Sequence, residues 1–186
     1  MKNHGILKRI FSILLILSVL TLAACGDDDG GISMTIGSGE KNYEEEAALY
    51  GISYTVPDGF EHIKVTTSEF TYTDGTAELD FRHFDSEGLE EQGADPEATV
   101  LQYTRMFCIW NDIPMTSYTY DEEKDIGEIK FVYEINDADF SMAEYFHWTI
   151  RRGSHYLYVV SASCPPDEAE NYYATFDAWH DSISVK

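Results

Sequence analysis

Positive charge is scarce in this sequence: 12 lysines and arginines stand against 34 aspartates and glutamates in 186 residues, a formal charge of −22. A surface of that sign repels phosphates, which excludes nucleic acid as a partner and leaves cationic groups or divalent ions as the electrostatically permitted ones. The simplest use of so many carboxylates is to keep a domain soluble. Long apolar runs are missing as well. The only strongly apolar stretch is confined to the fifteen residues between Arg9 and Cys25, whereas a spanning helix needs roughly 20. There is no Walker-type or dinucleotide-type glycine loop, and no His-x-x-x-His or His-x-His pair that would preform a metal site. Internal repeats are absent. Cysteine is limited to Cys25, Cys108 and Cys164.

What is present begins at the N-terminus. Lys2, Lys8 and Arg9 precede Ile10, Phe11, Ile13, Leu14, Leu15, Ile16, Leu17 and Leu20, the charged-then-apolar layout of a secretory leader. The run closes on Leu22-Ala23-Ala24-Cys25-Gly26. This resembles the bacterial lipobox, at which a cysteine sulfur is alkylated with diacylglycerol and the leader is cut before it. The small residues at 23 and 24 suit a narrow protease cleft, and the thiol supplies the nucleophile. A diacyl unit anchors stably where one acyl chain does not. Residues 1–24 are therefore expected to be a signal peptide, and Cys25 the lipidation site that holds the protein on the extracytoplasmic face of the cell membrane. Gly26-Asp27-Asp28-Asp29-Gly30-Gly31 and the following residues to Lys41 cannot bury a core, so residues 25–41 read as a tether reaching roughly 20 to 24 Å. Removing residues 1–24 takes away three basic residues and no acid, so the formal charge moves from −22 to −25. Anionic headgroups repel such a domain and hold it off the bilayer that anchors it.

Residues 42–186 have the size of one domain, and 13 tyrosines, 10 phenylalanines and 3 tryptophans in the chain supply a core. Tyr43 to Tyr50 reads as a short helix stopped by Gly51. Ile52 to Val56, His62 to Thr67, Glu69 to Thr73 and Ala77 to Phe84 read as strands, with turns at Pro57-Asp58-Gly59 and Asp74-Gly75. Asp95-Pro96-Glu97 opens a helix, with proline at its first position, and Val100, Leu101, Thr104, Phe107 and Cys108 form its apolar side. Asn111 to Pro114 ends it. Thr116 to Tyr120, Ile126 to Ile135, Phe140 to Arg151 and His155 to Ser163 follow as a meander of strands. In the third of these, Phe140, Met142, Phe146, Trp148 and Ile150 share one face, and Ser141, Tyr145, His147, Thr149 and Arg151 the other. After Cys164-Pro165-Pro166 a closing helix carries Tyr173, Phe176, Trp179 and Ile183 as a buried stripe. The class is α+β, a mostly antiparallel sheet covered by helices.

Two stretches carry a family resemblance. Tyr54-Thr55-Val56-Pro57-Asp58-Gly59-Phe60 and Phe176-Asp177-Ala178-Trp179-His180-Asp181-Ser182-Ile183, with the mid-chain helix between them, resemble the PsbP-like lipoproteins, including the DcrB type, over most of residues 50 to 185. The resemblance implies an α/β/α sandwich and a binding or assembly role rather than catalysis. No ligand residue of that family maps onto a position here.

The chemistry-bearing residues point the same way. Outside the cytoplasm Cys108 and Cys164 are able to pair, closing a loop of about 57 residues worth roughly 4 kcal/mol, or each serves as a small buried hydrophobe. The histidines at 62, 83, 147, 155 and 180 are scattered. Loops of the EF-hand kind fail: counting from Asp137 puts Met142 and Trp148 where glycine and glutamate are needed, and counting from Asp27 puts Ile32 and Ser38 there. Gly37-Ser38-Gly39 lacks the outer spacing of a nucleophile elbow. No cofactor is implied. Tyr118, Tyr120, Tyr133, Tyr145, Tyr156 and Tyr158 form the remaining lead, a possible ligand face that stacks on sugars or peptides, against the simpler reading that they build the sheet-helix core. The sequence thus favours a non-enzymatic lipoprotein that binds an unknown protein or small ligand. A cell-envelope hydrolase using scattered acids and histidines, and a subunit acting only by protein contacts, remain as alternatives.

Overall fold

The computed structural model describes residues 43–65, 69–137 and 140–186. The leader, Cys25, the tether and Thr66-Thr67 lie outside the described residues. Seven antiparallel strands form the main sheet: β2 (Glu61–Val65), β3 (Glu69–Thr73), β4 (Glu78–Phe84), β5 (Tyr118–Asp121), β6 (Ile126–Asp137), β7 (Phe140–Arg152) and β8 (Leu157–Cys164), in the spatial order β2-β3-β4-β8-β7-β6-β5. A two-stranded ribbon pairs β1 (Ile52–Ser53) with β9 (Ser184–Val185). The helices are α1 (Tyr43–Leu49), α2 (Ser86–Glu91), α3 (Val100–Trp110) and α4 (Ala169–Ser182).

The sheet is covered on both faces, so its central strands β7 and β8 are enclosed from either side. Every residue of β8 is buried. On one face Phe70, Leu79, Phe81, Tyr158, Val160 and Cys164 meet Ala47 of α1 and Phe176 and Trp179 of α4. On the other, Ile129, Phe146, Trp148, Ile150, Leu157 and Val159 meet Leu89 of α2 and Val100, Tyr103, Phe107 and Cys108 of α3. The result is the α+β architecture anticipated, with helices on both sides of an antiparallel sheet. Trp148 Nε1, buried in this second cluster, donates to Ser161 Oγ at 2.7 Å, so its polar atom is satisfied where water is excluded. Gly127 of β6 sits directly under Thr104 of α3. A Cβ at 127 would lie 2.0 Å from Thr104 Oγ1, so the helix approaches the sheet as closely as it does only because that position has no side chain.

Several elements depart from the sequence expectation. The mid-chain helix begins at Val100, not Pro96: Thr99 and Gln102 form a reciprocal capping box, while Asp95 accepts from the amides of Glu97 and Ala98 and holds the proline segment in a turn. The helix α2 has no apolar period to announce it, since Leu89 is its only buried residue. The strand expected over Ile52 to Val56 stops at Ser53, where its partner β9 also begins; beyond it Thr55 N donates to Ser182 Oγ at 3.1 Å. On α4, Tyr173 is exposed, and Tyr172 instead packs with Phe176 against the core. The alternation expected for β7 holds for the residues from Tyr145 to Arg151, with Phe146, Trp148 and Ile150 against α3 and Tyr145, His147, Thr149 and Arg151 toward α4.

Candidate functional site

The densest group of titratable side chains lies between the sheet and α4. The register of β6 with β7 places Glu128 opposite Thr149 and Lys130 opposite His147, so all four side chains emerge on one face. From α4, Asp177 and His180 come down one turn apart onto that face. The two imidazole rings meet with centroids 4.0 Å apart.

His180 is fully engaged. Its Nε2 lies 3.0 Å from the backbone oxygen of His147 and its Nδ1 lies 3.0 Å from Thr149 Oγ1. A carbonyl only accepts, so Nε2 carries the proton, and Nδ1 is left to accept from the threonine hydroxyl. Burial holds the ring's pKa well below its ordinary value, and the neighbouring His147 adds to the depression. Beside it Arg151 donates from Nη1 to the carbonyl of Ile183 at 2.6 Å and from Nη2 to that of His180 at 2.5 Å. A guanidinium thus satisfies carbonyls at the end of α4, where the helix dipole is negative.

His147 has a side chain only 3 % exposed, with Nε2 2.8 Å from Glu128 Oε1 and Nδ1 3.8 Å from Asp177 Oδ1. Lys130 Nζ joins the same two carboxylates, at 3.1 and 3.5 Å. The second Glu128 oxygen accepts from Thr119 Oγ1 at 3.3 Å. The hydrogen bond from His147, resisted by burial and aided by Lys130, brings the Glu128 carboxyl down to about 2. General-base catalysis requires one imidazole nitrogen within reach of a substrate proton while a carboxylate orients the other. Here a carboxylate faces each nitrogen of His147, and His180 lies against the ring. The group fastens α4 to β6 and β7.

Cys108 and Cys164 do not pair. Both are free and buried, Cys108 in the core under α3 and Cys164 in the core under α4, and a disulfide is not formed through an intervening sheet. Burial pushes the Cys164 thiol up to about 12, with Glu144 adding to the effect, and raises that of Cys108, so both favour the protonated thiol. The six tyrosines make no common face. Tyr118, Tyr120 and Tyr133 pack beside the α3 core, and Tyr145, Tyr156 and Tyr158 belong to the α4 core. Three of the hydroxyls are used internally: Tyr118 accepts from Arg105 Nε at 2.8 Å, Tyr120 donates to Asp125 at 2.7 Å, and Tyr158 donates to the backbone oxygen of Tyr50. Among the histidines the structure brings His147 and His180 together, stacks His62 on Tyr43 at 3.9 Å and His83 on Tyr50 at 4.1 Å, and leaves His155 exposed in a turn. Asp121 accepts from the amides of Glu123 and Lys124 and shapes a turn. Among the described residues no group of three or more His, Cys, Asp or Glu is placed to hold a metal ion, and no helix is long and apolar enough to cross a membrane.

Glu128, Lys130 and Asp177 were not visible as site residues in the sequence. The signal for the rest was the polar face of β7, on which His147, Thr149 and Arg151 alternate with buried aromatics; a polar face on a doubly covered strand must find partners in the covering helix.

No protein-family model matches the sequence, and no curated protein does. Solved structures do match. The solution structure of cyanobacterial PsbP (CyanoP) from Synechocystis sp. PCC 6803 is 14 % identical with a TM-score of 0.47, over 89 % of this chain and 99 % of that one. LpqN, involved in cell envelope biogenesis of Mycobacterium tuberculosis, is 10 % identical with a TM-score of 0.33, over 73 % of this chain and 83 % of that one. A crystal structure from Bacteroides thetaiotaomicron VPI-5482 is 11 % identical with a TM-score of 0.45 over 73 % of this chain, which spans 45 % of the Bacteroides chain.

Proposed function

We propose that this chain is a lipid-anchored extracytoplasmic protein whose domain acts by binding or assembly and not by catalysis. The anchoring half rests on Leu22-Ala23-Ala24-Cys25 closing a short apolar leader, followed by a Gly and Asp tether. The observation that carries the non-catalytic half is the internal engagement of the two histidines: both His180 nitrogens and His147 Nε2 are hydrogen-bonded within the domain, and His147 Nδ1 faces Asp177 at 3.8 Å. The thiols support the same reading, since burial keeps both protonated. With a formal charge of −25 after processing, the domain is repelled by anionic lipid and stands off the membrane, presenting its carboxylates to basic partners.

Chemical crosslinking in intact envelopes, followed by capture of the lipidated chain and mass spectrometry, tests both halves. The expected product begins at a diacylglyceryl-modified Cys25 and is crosslinked to a defined partner. An unmodified Cys25 thiol overturns the anchor. Robust hydrolytic turnover by the purified protein that is abolished by His147→Gln overturns the non-catalytic reading and favours an envelope hydrolase.

A further inference from the structure

The strand β5 is short. It covers β6 only from Ile126 to Ile129, after which the amide of Lys130 still donates to the backbone oxygen of Ser117 at 3.0 Å. The strand β6 nevertheless runs on, paired with β7 on its other side, to Asp137 opposite Phe140. Among the described residues nothing pairs with the outer side of β6 beyond Lys130. In an antiparallel ladder successive residues direct their N–H and C=O groups to alternate sides. Since Lys130 points outward, so do Val132, Glu134 and Asn136, and the edge offers three amides and three carbonyls over a strand length of roughly 23 Å.

Edges of this kind are ordinarily blunted by lysine, proline or a bulge. This one carries none of these past Lys130. On the α4 side it carries Val132, 49 % exposed, and Tyr173 of α4 is 45 % exposed. Both border Tyr145: Val132 pairs with it across the strands, and its ring centroid is 5.5 Å from that of Tyr173. Glu134 and Asp177 flank this apolar pair, both exposed.

We propose that the outer edge of β6 from Phe131 to Asp137 receives an extended basic segment of another protein, added as an antiparallel or parallel strand next to β6. Backbone pairing supplies the attachment. Every second side chain of the segment faces α4, so lysines or arginines at those positions meet Glu134 and Asp177 and lay their stems along Val132 and Tyr173, while the apolar side chains between them lie on the other face beside Phe131 and Tyr133. Charge selects this occupant over a second copy of the chain, which would bring the same glutamates and a charge of −25 against −25. The proposal rests on the reading of the domain as a binding module and gives that module an address.

The test uses the mature lipidated chain in detergent micelles and a synthetic nine-residue peptide of alternating lysine and valine, with a glutamate and valine peptide as control. Titration at 0.15 M salt is expected to show saturable binding of the lysine peptide, about tenfold or more tighter than of the control. Hydrogen exchange is expected to slow at the amides of Val132, Glu134 and Asn136. Val132→Pro deletes an outward donor without touching the ladder to β7 and is expected to weaken binding roughly three- to tenfold. Glu134→Lys, a surface change that spares the fold, is expected to weaken it likewise. Protection at another location, indifference to both variants, or protection of these amides that grows with protein concentration alone, which marks a second copy, overturns the proposal. If the envelope crosslinking captures the same partner with wild type and both variants, the edge is wrong and the binding reading stands. If His147-dependent turnover is found, the binding reading itself falls.

Discussion

Replacing Glu128 by glutamine keeps the shape of the side chain and one acceptor oxygen but removes the charge that His147 and Lys130 both contact. The size of the effect follows from the carboxyl's titration. Its fall from the ordinary 4.5 to about 2 in the fold corresponds to about 3 kcal/mol of preference for the ionised form. Solvent reaches 37 % of the side chain, and screening reduces the contribution to about 1 to 2 kcal/mol. The unfolded chain binds a proton on this group below its ordinary pKa while the folded chain resists doing so. The stabilisation is therefore complete above about pH 4.5 and is lost as the pH falls through the interval down to about 2.

Urea unfolding of wild type and Glu128→Gln, followed by tryptophan fluorescence at intervals from pH 7 to pH 3, measures this directly. At pH 7 the variant is expected to be less stable by about 1 to 2 kcal/mol, or lower in Tm by about 3 to 8 °C. The difference should shrink steadily below pH 4.5. An offset that stays constant to pH 3 would mean that shape and packing, not charge, account for the loss. A difference that widens in acid would show that Glu128 is protonated more easily in the fold than out of it, and the clamp as described would be wrong.

Three further outcomes follow from the packing. Gly127→Ala drives a methyl group into Thr104 Oγ1 and is expected to cost about 2 to 3 kcal/mol by thermal unfolding; in combination with Thr104→Ala the two losses should be less than additive, because the second change removes the obstruction made by the first. Thiol titration of residues 42–186, purified under oxidising conditions, should find two free cysteines on denaturation and almost none reactive before it, since Cys108 and Cys164 are buried on opposite sides of the sheet; a single crosslinked product under non-reducing electrophoresis would contradict this arrangement. Arg151→Met removes two charge-assisted hydrogen bonds to the carbonyls of His180 and Ile183 and should lower stability by about 3 kcal/mol, with faster amide exchange concentrated in the last turn of α4 and in β9.

The sheet and its covering helices were legible because alternation and helical spacing are local signals. The strand from Phe140 to Arg152 shows this: its aromatic face and its polar face can be read from the sequence with no knowledge of what lies above either. Helix starts were less legible. Pro96 carries a strong start signal, yet Thr99 and Gln102 satisfy two orphan amides at once, and that reciprocal pair fixes the first turn four residues later. Tyr173 and Tyr172 are adjacent, and which of them faces the core depends on how α4 crosses the sheet, a tertiary fact that periodicity leaves undetermined.

Pairing across the sheet was hidden for a different reason. Six tyrosines on neighbouring strands suggest a single face only if the parity of every strand is known, and one residue of register moves a side chain through the sheet. Tyr133 and Tyr145 illustrate the point, since they lie on adjacent strands and yet pack into different cores. The same parity that separates the tyrosines and keeps Cys108 from Cys164 is what assembles Glu128, Lys130, His147 and Thr149 on the face that α4 covers. It also sets the amides of Val132, Glu134 and Asn136 on the side of β6 that β5 does not reach. Buried clamp and open edge are thus two results of one register. A shift by a single residue would put His147 among the aromatics under α3 and turn those outward amides toward β7, so any partner that docks on the edge reads the same pairing that closes the core.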